Sequence, residues 1–188
     1  FYTMLPSPDN TTDGALQDND LEYHISLSSL QMGNRSAENE SWSSSTWSNL
    51  RALNYYLEHS VNCTSEDIRK KYDGVAYFFR AMFYYEKVRK YGDIPWYDHV
   101  ISANDKASLY RARDSRGFVM QKIMEDLDKA IDGLPVTWTE GVYRINKYAA
   151  YAFKSRVALF EGTWRKYHAA PDETYTKDDG TQLTLSSE

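Results

Sequence analysis

The sequence predicts a mostly α-helical protein, built from tetratricopeptide-like helical hairpins that are joined by long loops. Apolar residues recur at three- and four-residue steps in several segments, which is the spacing of one helix face. Residues that start and stop helices flank these segments. Residues 76–91 and 150–167 also share an opening Ala-Tyr-x-Phe and a closing Lys-Tyr, a loose internal repeat. Such a repeat is typical of stacked helix pairs, so the predicted fold class is all-α.

The N-terminal segment, residues 1–46, is predicted to be irregular because it is polar and rich in turn formers. The pattern changes at the start of the predicted helical region, residues 47–170. Its first helix is expected to end before Asn62. The apolar residues that mark one face of this helix are Trp47, Leu50, Leu53 and Leu57.

The second helix is predicted to run from an N-cap at Thr64 or Ser65 to Tyr91, and it is the most aromatic part of the chain. Its apolar residues occupy two sides, so we expect it to be buried between two layers. Gly92 can adopt the left-handed conformation that closes a helix, and Pro95 prevents its continuation.

Two more helices are predicted after a long connection over residues 93–113. The first lies within residues 114–135, and the second is capped by Asn146 and extends toward His168. The tail, residues 171–188, lacks a core pattern and is predicted to be a loop or the start of a further region. In the third helix, Met120, Ile123, Met124, Leu127, Ile131 and Leu134 are expected to face inward, and Lys122, Glu125, Asp128, Lys129 and Asp132 outward.

Two arginines lie inside apolar helical segments, Arg80 and Arg156. A buried arginine needs a partner, and Asp93 is the partner we expect for Arg80. Asp126 and Asp128 are close in sequence but point in different directions on a helix, so we expect a solvated face there rather than acid–base chemistry.

Charge and composition exclude several classes of protein. The net charge is −5 without a basic run, which argues against nucleic-acid binding. The longest strongly apolar run contains an arginine and is too short to cross a bilayer. Cys63 is the only cysteine, which excludes an internal disulfide and a cysteine-based zinc site.

The sequence also predicts that the chain is not an enzyme and carries no cofactor. It contains none of the common catalytic or nucleotide-binding motifs, and its four histidines share no ligand spacing. Calcium stays open as an alternative, although the acidic segment lacks the glycine of a full calcium loop. The candidate ligands in that segment are Asp13, Asp18, Asp20 and Glu22.

Three ordered segments resemble the SusD/RagB family of outer-membrane nutrient-binding lipoproteins of Bacteroidetes. The first segment is "AYFFRAMFYYEKVRKYGDIPWYD", with Phe79, Arg80, Ala81, Tyr84, Tyr85, Val88, Tyr91, Gly92, Asp93, Ile94 and Pro95 as the matching residues. The second matches at Asp126, Leu127, Ala130, Ile131, Leu134 and Pro135. The third matches at Lys147, Ala149, Ala150, Ala152, Arg156 and Val157. The chain is similar to the N-terminal portion of such proteins.

This resemblance implies the N-terminal half of an α-rich fold, in which tetratricopeptide-like helix pairs support a ligand-binding face made of loops. It implies a non-catalytic protein that captures oligosaccharides for a SusC-like TonB-dependent transporter. It also implies a surface-exposed lipoprotein of the outer membrane. The lipid anchor expected in the full-length protein is absent from this sequence.

A ligand-binding segment is predicted at "MGNRSAENESW", residues 32–42. A sugar site needs a flat exposed ring that stacks on the apolar face of a sugar, with polar groups around it. The alternative is that the tryptophan simply docks this loop onto the helices. The candidate residues are Trp42, Asn34, Arg35, Glu38 and Asn39.

Other functions stay open at this point. A SusD-like protein can bind peptides rather than glycans, and a tetratricopeptide scaffold can bind proteins through a concave helix face. A helical glycoside hydrolase would need two carboxylates that face an aromatic cleft, and no such pair stands out in the sequence.

Overall fold

The chain divides into two units, Phe1–Asn49 and Leu50–Glu188, and the boundary falls inside the first long helix. A computed structural model gives the structure of the protein. The residues that it describes are 1–5, 32–34, 42, 44–139, 141, 143–168, 170–177 and 180–185.

The described part of the first unit contains one turn of 3₁₀-helix, Tyr2–Met4, and the beginning of helix α1, Ser44–His59. Helix α1 therefore starts three residues before Trp47, where the apolar pattern begins. A further turn lies at residues 32–34, where Gly33 adopts a φ of 68°.

The second unit is built mainly from helices, as the sequence predicts. After α1 and a 3₁₀ turn, Ser60–Asn62, the helices are α2 (Glu66–Tyr91), α3 (Lys106–Leu109), α4 (Arg116–Gly133) and α5 (Lys147–Tyr167). Helix α2 packs along α4, and α4 packs against α5. The all-α fold class is confirmed, with a small two-stranded sheet added to it.

The predicted ends of α2 are confirmed. The Ser65 side chain accepts a hydrogen bond from the Ile68 amide, and Gly92 closes the helix with a φ of 71°. Buried residues lie on more than one face of its C-terminal half, among them Phe79, Tyr84 and Tyr85. The aromatic residues of this helix are therefore largely core residues.

Helices α2 and α4 approach each other closely through two glycines. A Cβ atom on Gly133 would lie 2.5 Å from the Lys70 carbonyl oxygen, and one on Gly74 would lie 3.0 Å from the Leu134 amide nitrogen. Backbone thus rests directly on backbone at this point, a separation that side chains would prevent.

The N-caps of α4 and α5 are side chains as well. Ser115 accepts a hydrogen bond from the Phe118 amide, and Asn146 from the Ala149 amide.

Two expectations about these helices were wrong. Glu125 is buried, where it bonds to Gln121 and forms an ion pair with Lys122 at 3.1 Å. Arg156, which we expected to be buried, is exposed on the outer face of α5.

The C-terminal tail, predicted to be a loop or the start of a further region, contains a β-hairpin. Strands β1 (Glu173–Thr176) and β2 (Gln182–Leu185) form an antiparallel hairpin with Glu173 opposite Leu185. Each strand has only four residues, with one aromatic side chain in β1 and two leucines in β2, too few for a period-two pattern to stand out. The hairpin is attached to α4, because the Gln121 side chain donates to the Thr176 carbonyl at 3.1 Å.

The connection between α2 and α4 is ordered by short-range contacts. It contains the one-turn helix α3, and Ile94 and Asp114 form an isolated antiparallel bridge at its two ends. None of the helices in the described part of the chain has an apolar stretch of the length that crossing a membrane requires.

Candidate functional site

The predicted ligand-binding tryptophan, Trp42, is placed in the first unit with its ring partly open to solvent. It packs edge-on against Trp47 in the first turn of α1, with 4.9 Å between the ring centroids and an angle of 62° between the planes. The side chain is still 39% exposed. Trp42 therefore packs on a helix and also presents ring surface, and its role as a ligand contact stays a prediction.

Asn34 is exposed and directly follows Gly33, whose positive φ forms the turn at this point. The other three predicted ligand contacts, Arg35, Glu38 and Asn39, lie outside the described residues. The structure thus brings a ring into a defined position, while the arrangement of the polar groups around it stays a prediction.

The four acidic residues considered for calcium, at positions 13, 18, 20 and 22, also lie outside the described residues. Within the part of the chain that is described, no group of three or more histidine, cysteine, aspartate or glutamate side chains could hold a metal ion.

A buried ion pair lies at the centre of the second unit. Arg80 donates to both carboxylate oxygens of Asp126, from Nε at 2.6 Å and from Nη2 at 2.8 Å. The two side chains are 6% and 2% exposed. Burial acts to lower the pKa of Arg80, but the charge and hydrogen bonds of Asp126 outweigh it, so the pKa lies above its ordinary value.

This pair corrects two expectations from the sequence. The predicted partner of Arg80 was Asp93, but Asp93 instead accepts a hydrogen bond from the Arg116 amide at 2.8 Å. Asp126, expected on a solvated face, is in the core. Because its two oxygens are engaged by one guanidinium, Asp126 is suited to structural cross-linking rather than to proton transfer.

Asn54 extends the pair into a network that holds the loop after α2. Its side-chain oxygen accepts from Arg80 Nη1 at 3.2 Å, and its side-chain nitrogen donates to the carbonyls of Tyr97 and His99 at 2.9 and 3.1 Å. The Tyr84 hydroxyl accepts from the Tyr97 amide at 2.6 Å. One signal in the sequence could have pointed to this network: Asn54 is a polar residue that directly follows Leu53, an apolar residue of the buried helix face.

A second buried network joins α4, α5 and the hairpin. Glu161 Oε1 accepts from Arg116 Nη1 and from Arg165 Nε, both at 2.8 Å. Arg165 also donates to the Pro171 carbonyl at 2.6 Å, and the Arg116 guanidinium lies 3.6 Å from the centroid of the Trp164 ring. The sequence reasoning missed this network, although two of its members, Glu161 and Arg165, are opposite charges one helical turn apart.

A polar cleft of about 320 Å³ lies between the N-terminal half of α2 and the end of α4. Its charged residues include acids and bases in equal number, so the cleft does not favour one sign of ligand charge. The aromatic residue that lines the cleft is Tyr77. Arg80 Cζ and Lys129 Nζ both lie within 6 Å of the centroid of the Tyr77 ring, at 5.3 and 5.6 Å. The charged lining residues are Glu66, Arg69, Lys70, Asp73, Lys129 and Asp132.

Comparison with known proteins identifies the family. Residues 8–159 match the model of a SusD-like family described as starch-binding and associating with the outer membrane. This chain belongs to the SusD-like family. The resemblance seen in the sequence is thereby confirmed, and none of the curated proteins compared with this SusD-like chain matches it.

Solved structures of SusD-like proteins share the fold. One from Bacteroides fragilis is 33% identical, with a TM-score of 0.59 over 64% of this chain and 23% of its own. A laminarin-binding SusD-like protein is 19% identical, with a TM-score of 0.57 over 71% of this chain and 30% of its own. A surface glycan-binding protein A from Bacteroides uniformis is 21% identical, with a TM-score of 0.53 over 66% and 29%.

This SusD-like chain therefore spans less than a third of the length of these three solved relatives. Proteins of the SusD-like family bind carbohydrates and are not enzymes. That property of the family agrees with the prediction from the sequence.

Proposed function

We propose that this chain is part of a non-catalytic, cell-surface nutrient-binding protein that captures oligosaccharides. The observation that carries the proposal is the SusD-like family match over residues 8–159, whose description is that of a starch-binding protein. Trp42 provides the ring on which a sugar stacks, since an indole offers a broad flat apolar face.

The contact between Trp42 and Trp47 supports this role in physical terms. A ring that is already held by an edge-to-face contact loses little conformational freedom when a ligand binds, so more of the contact energy appears as affinity. Asn34, Arg35, Glu38 and Asn39 supply the amide, guanidinium and carboxylate groups that bond to sugar hydroxyls.

The captured ligand would be passed to a SusC-like TonB-dependent transporter. We place the full-length protein on the outer face of the outer membrane, held there by a lipid anchor. The family description, which includes association with the outer membrane, supports this placement. Peptides are the alternative ligands within the same family.

The first test is glycan binding by the chain and its Trp42→Ala variant. We use maltoheptaose and laminarin as probes, with isothermal titration calorimetry as the measurement and circular dichroism as the check on folding. Losing the stacking ring should weaken binding of the recognised glycan about tenfold or more, the equivalent of one good ring contact.

Tyr110→Ala is the matched control, because Tyr110 is an 85% exposed aromatic residue on a loop of the second unit. Equal affinities of the wild-type and Trp42→Ala chains would rule out Trp42 as a ligand contact. Binding of peptides without binding of either glycan would favour the peptide alternative.

A further inference from the structure

A second group of aromatic residues lies in the second unit, where α2 begins and the connection from α4 to α5 passes beside it. We call Tyr72, Trp138, Tyr143 and Arg144 the Tyr72 cluster. Tyr72 and Trp138 pack with 5.7 Å between their ring centroids and 55° between their planes. No residue of this cluster belongs to the unit that contains Trp42.

The guanidinium of Arg144 contacts both of the packed residues. Its Nη1 donates to the Tyr72 hydroxyl at 2.9 Å, and its Cζ lies 5.2 Å from the centroid of the Trp138 ring. A guanidinium held in this way keeps a fixed plane and fixed donor directions. Little conformational entropy remains to be lost when it bonds to a ligand.

The loop that carries the cluster is closed at its base. The Trp138 indole donates to the Ile145 carbonyl at 2.7 Å, and the Lys147 amide donates to the Pro135 carbonyl at 2.9 Å. Trp138 is only 8% exposed, so it forms the floor of the cluster rather than its surface. The loop is thereby tied to the start of α5 at two points.

The outer rings of the cluster face solvent. Tyr143 is 94% exposed and Tyr72 is 40% exposed. Tyr148, in the first turn of α5, is also exposed. A single exposed ring is common. Here one exposed phenol, Tyr72, bonds to the fixed guanidinium, and a second, Tyr143, directly precedes that arginine in the chain. Such groups are the parts of a carbohydrate subsite. The rings stack on sugar faces, and the guanidinium and phenol groups bond to hydroxyls.

We propose that the Tyr72 cluster is a second carbohydrate-binding subsite, which takes one pyranose unit of a neutral glucan chain. This inference rests on the proposed function, because it assumes that the chain recognises glycans. The sugar would stack on Tyr143 and Tyr72, while Arg144 donates to its hydroxyls. Two subsites on one chain would raise the affinity for a polymer above that for a short oligosaccharide.

A protein partner would suit this surface less well. The core of a protein interface excludes water around apolar side chains. In the Tyr72 cluster the most apolar ring, Trp138, is already buried, and the exposed groups are phenols and a guanidinium. These polar groups stay in contact with water, which suits the binding of a hydroxyl-rich sugar better than a dry protein interface.

The test compares polymer and oligomer binding in five chains: wild type, Tyr143→Ala, Tyr72→Phe, Trp42→Ala and the control Tyr110→Ala. Affinity electrophoresis in gels that contain soluble starch or laminarin measures polymer binding, and calorimetry with maltoheptaose or laminariheptaose counts sites. Tyr143→Ala should weaken polymer binding about tenfold and reduce the sites per chain from about two to about one.

Tyr72→Phe tests the positioning of Arg144, since it keeps the ring and removes the hydroxyl that accepts from the guanidinium. We expect polymer binding about threefold weaker, with Arg144 less well held, and an unchanged fold by circular dichroism. Tyr110→Ala should bind as the wild type does.

The outcomes separate this inference from the proposed function. If the wild type binds a glucan at one site and Tyr143→Ala binds equally well, the second subsite is overturned while the proposed function stands. If Tyr143→Ala loses polymer binding and Trp42→Ala retains it, the subsite is supported and the role of Trp42 is overturned. A wild-type chain that binds neither glucan overturns both.

Discussion

Arg80 connects three parts of the second unit through one guanidinium. It bonds to Asp126 on α4, to Asn54 on α1 and to the Asp98 carbonyl in the loop after α2. A buried charge is costly when it stands alone, so each of these contacts depends on the others. The loop that follows Gly92 is therefore fixed from the core outward.

Removing either partner of this pair should strongly destabilise the protein. We expect Arg80→Ala or Asp126→Ala to lower the free energy of unfolding by about 3–5 kcal/mol, because an uncompensated charge would remain buried. Urea denaturation monitored by circular dichroism measures this change.

The matched control for this prediction is Arg89→Ala, which breaks an exposed ion pair with Glu86. Exposed pairs of this kind contribute about 0–1 kcal/mol. A loss in Arg80→Ala no greater than that in Arg89→Ala would contradict the structural role of the buried pair.

Single residues also show where prediction from sequence stops. The apolar surroundings of Arg80 predicted its burial, but the partner was wrong because Asp93 is near in sequence while Asp126 is near in space. The same reasoning failed for Arg156, since the side of α5 that carries it has no described helix packed on it. The partner of a buried charge depends on how helices pack, and periodicity does not encode that.

At the scale of elements, helix ends were the most predictable feature. Ser65, Gly92 and Asn146 were identified from sequence because capping depends on chemistry within a few residues. The hairpin β1–β2 was missed because its support is not local. It is held by Gln121 and by the contact of Glu173 with Arg165 at 3.3 Å.

The glycine contact between α2 and α4 gives a prediction at this scale. In Gly133→Ala the new methyl group would collide with the Lys70 carbonyl, so the two helices must move apart. We expect a loss of about 1–3 kcal/mol in the free energy of unfolding, the usual range for overpacking. Thermal and urea denaturation measure the effect.

Gly162→Ala is the matched control, since Gly162 lies within α5 and a Cβ atom there would meet nothing within 4 Å. Alanine is the better helix former, so this variant should be more stable than the wild type by about 0.5–1 kcal/mol. A Gly133→Ala variant that is as stable as the wild type, or more stable, would show that the α2–α4 contact is looser than the structure indicates.

At the scale of the whole molecule, stability should fall in alkaline solution. Burial and the neighbouring Asp73 raise the pKa of Tyr56 from 10.0 to about 12. Between these two values the folded state holds a proton that the unfolded state has released, so unfolding becomes more favourable as the pH rises. The contribution of Tyr56 is complete below pH 10 and is lost as the pH passes about 12.

Tyr56→Phe isolates this contribution, because phenylalanine has no proton to lose. Across this pH range, the unfolding free energy of the wild type should fall relative to that of Tyr56→Phe. Urea denaturation at pH steps between about 9 and 11.5 measures it. Tyr110→Phe, at an exposed tyrosine, should run parallel to the wild type, and a constant difference for Tyr56→Phe would refute the expectation.

The candidate site was predictable in part. The ring of Trp42 could be singled out because an aromatic residue stood among polar ones in a segment without helical spacing. Its edge contact with Trp47 could not be predicted, because sequence spacing does not reveal which rings meet outside a helix. The Tyr72 cluster was hidden for a related reason, since Tyr72 and Arg144 are far apart in sequence and meet only when α2 and α4 are packed.

The contact between Gly74 and Gly133 also has a consequence for protein engineering. Anyone who wishes to use this helix pair as a scaffold has to leave these two positions unchanged, since any side chain would act as a wedge. Gly162, on α5, has open space around it and can carry a label or a binding group. What separates Gly74 and Gly133 from Gly162 is the free space around the Cα atom, which is absent at the first two positions and open at the third.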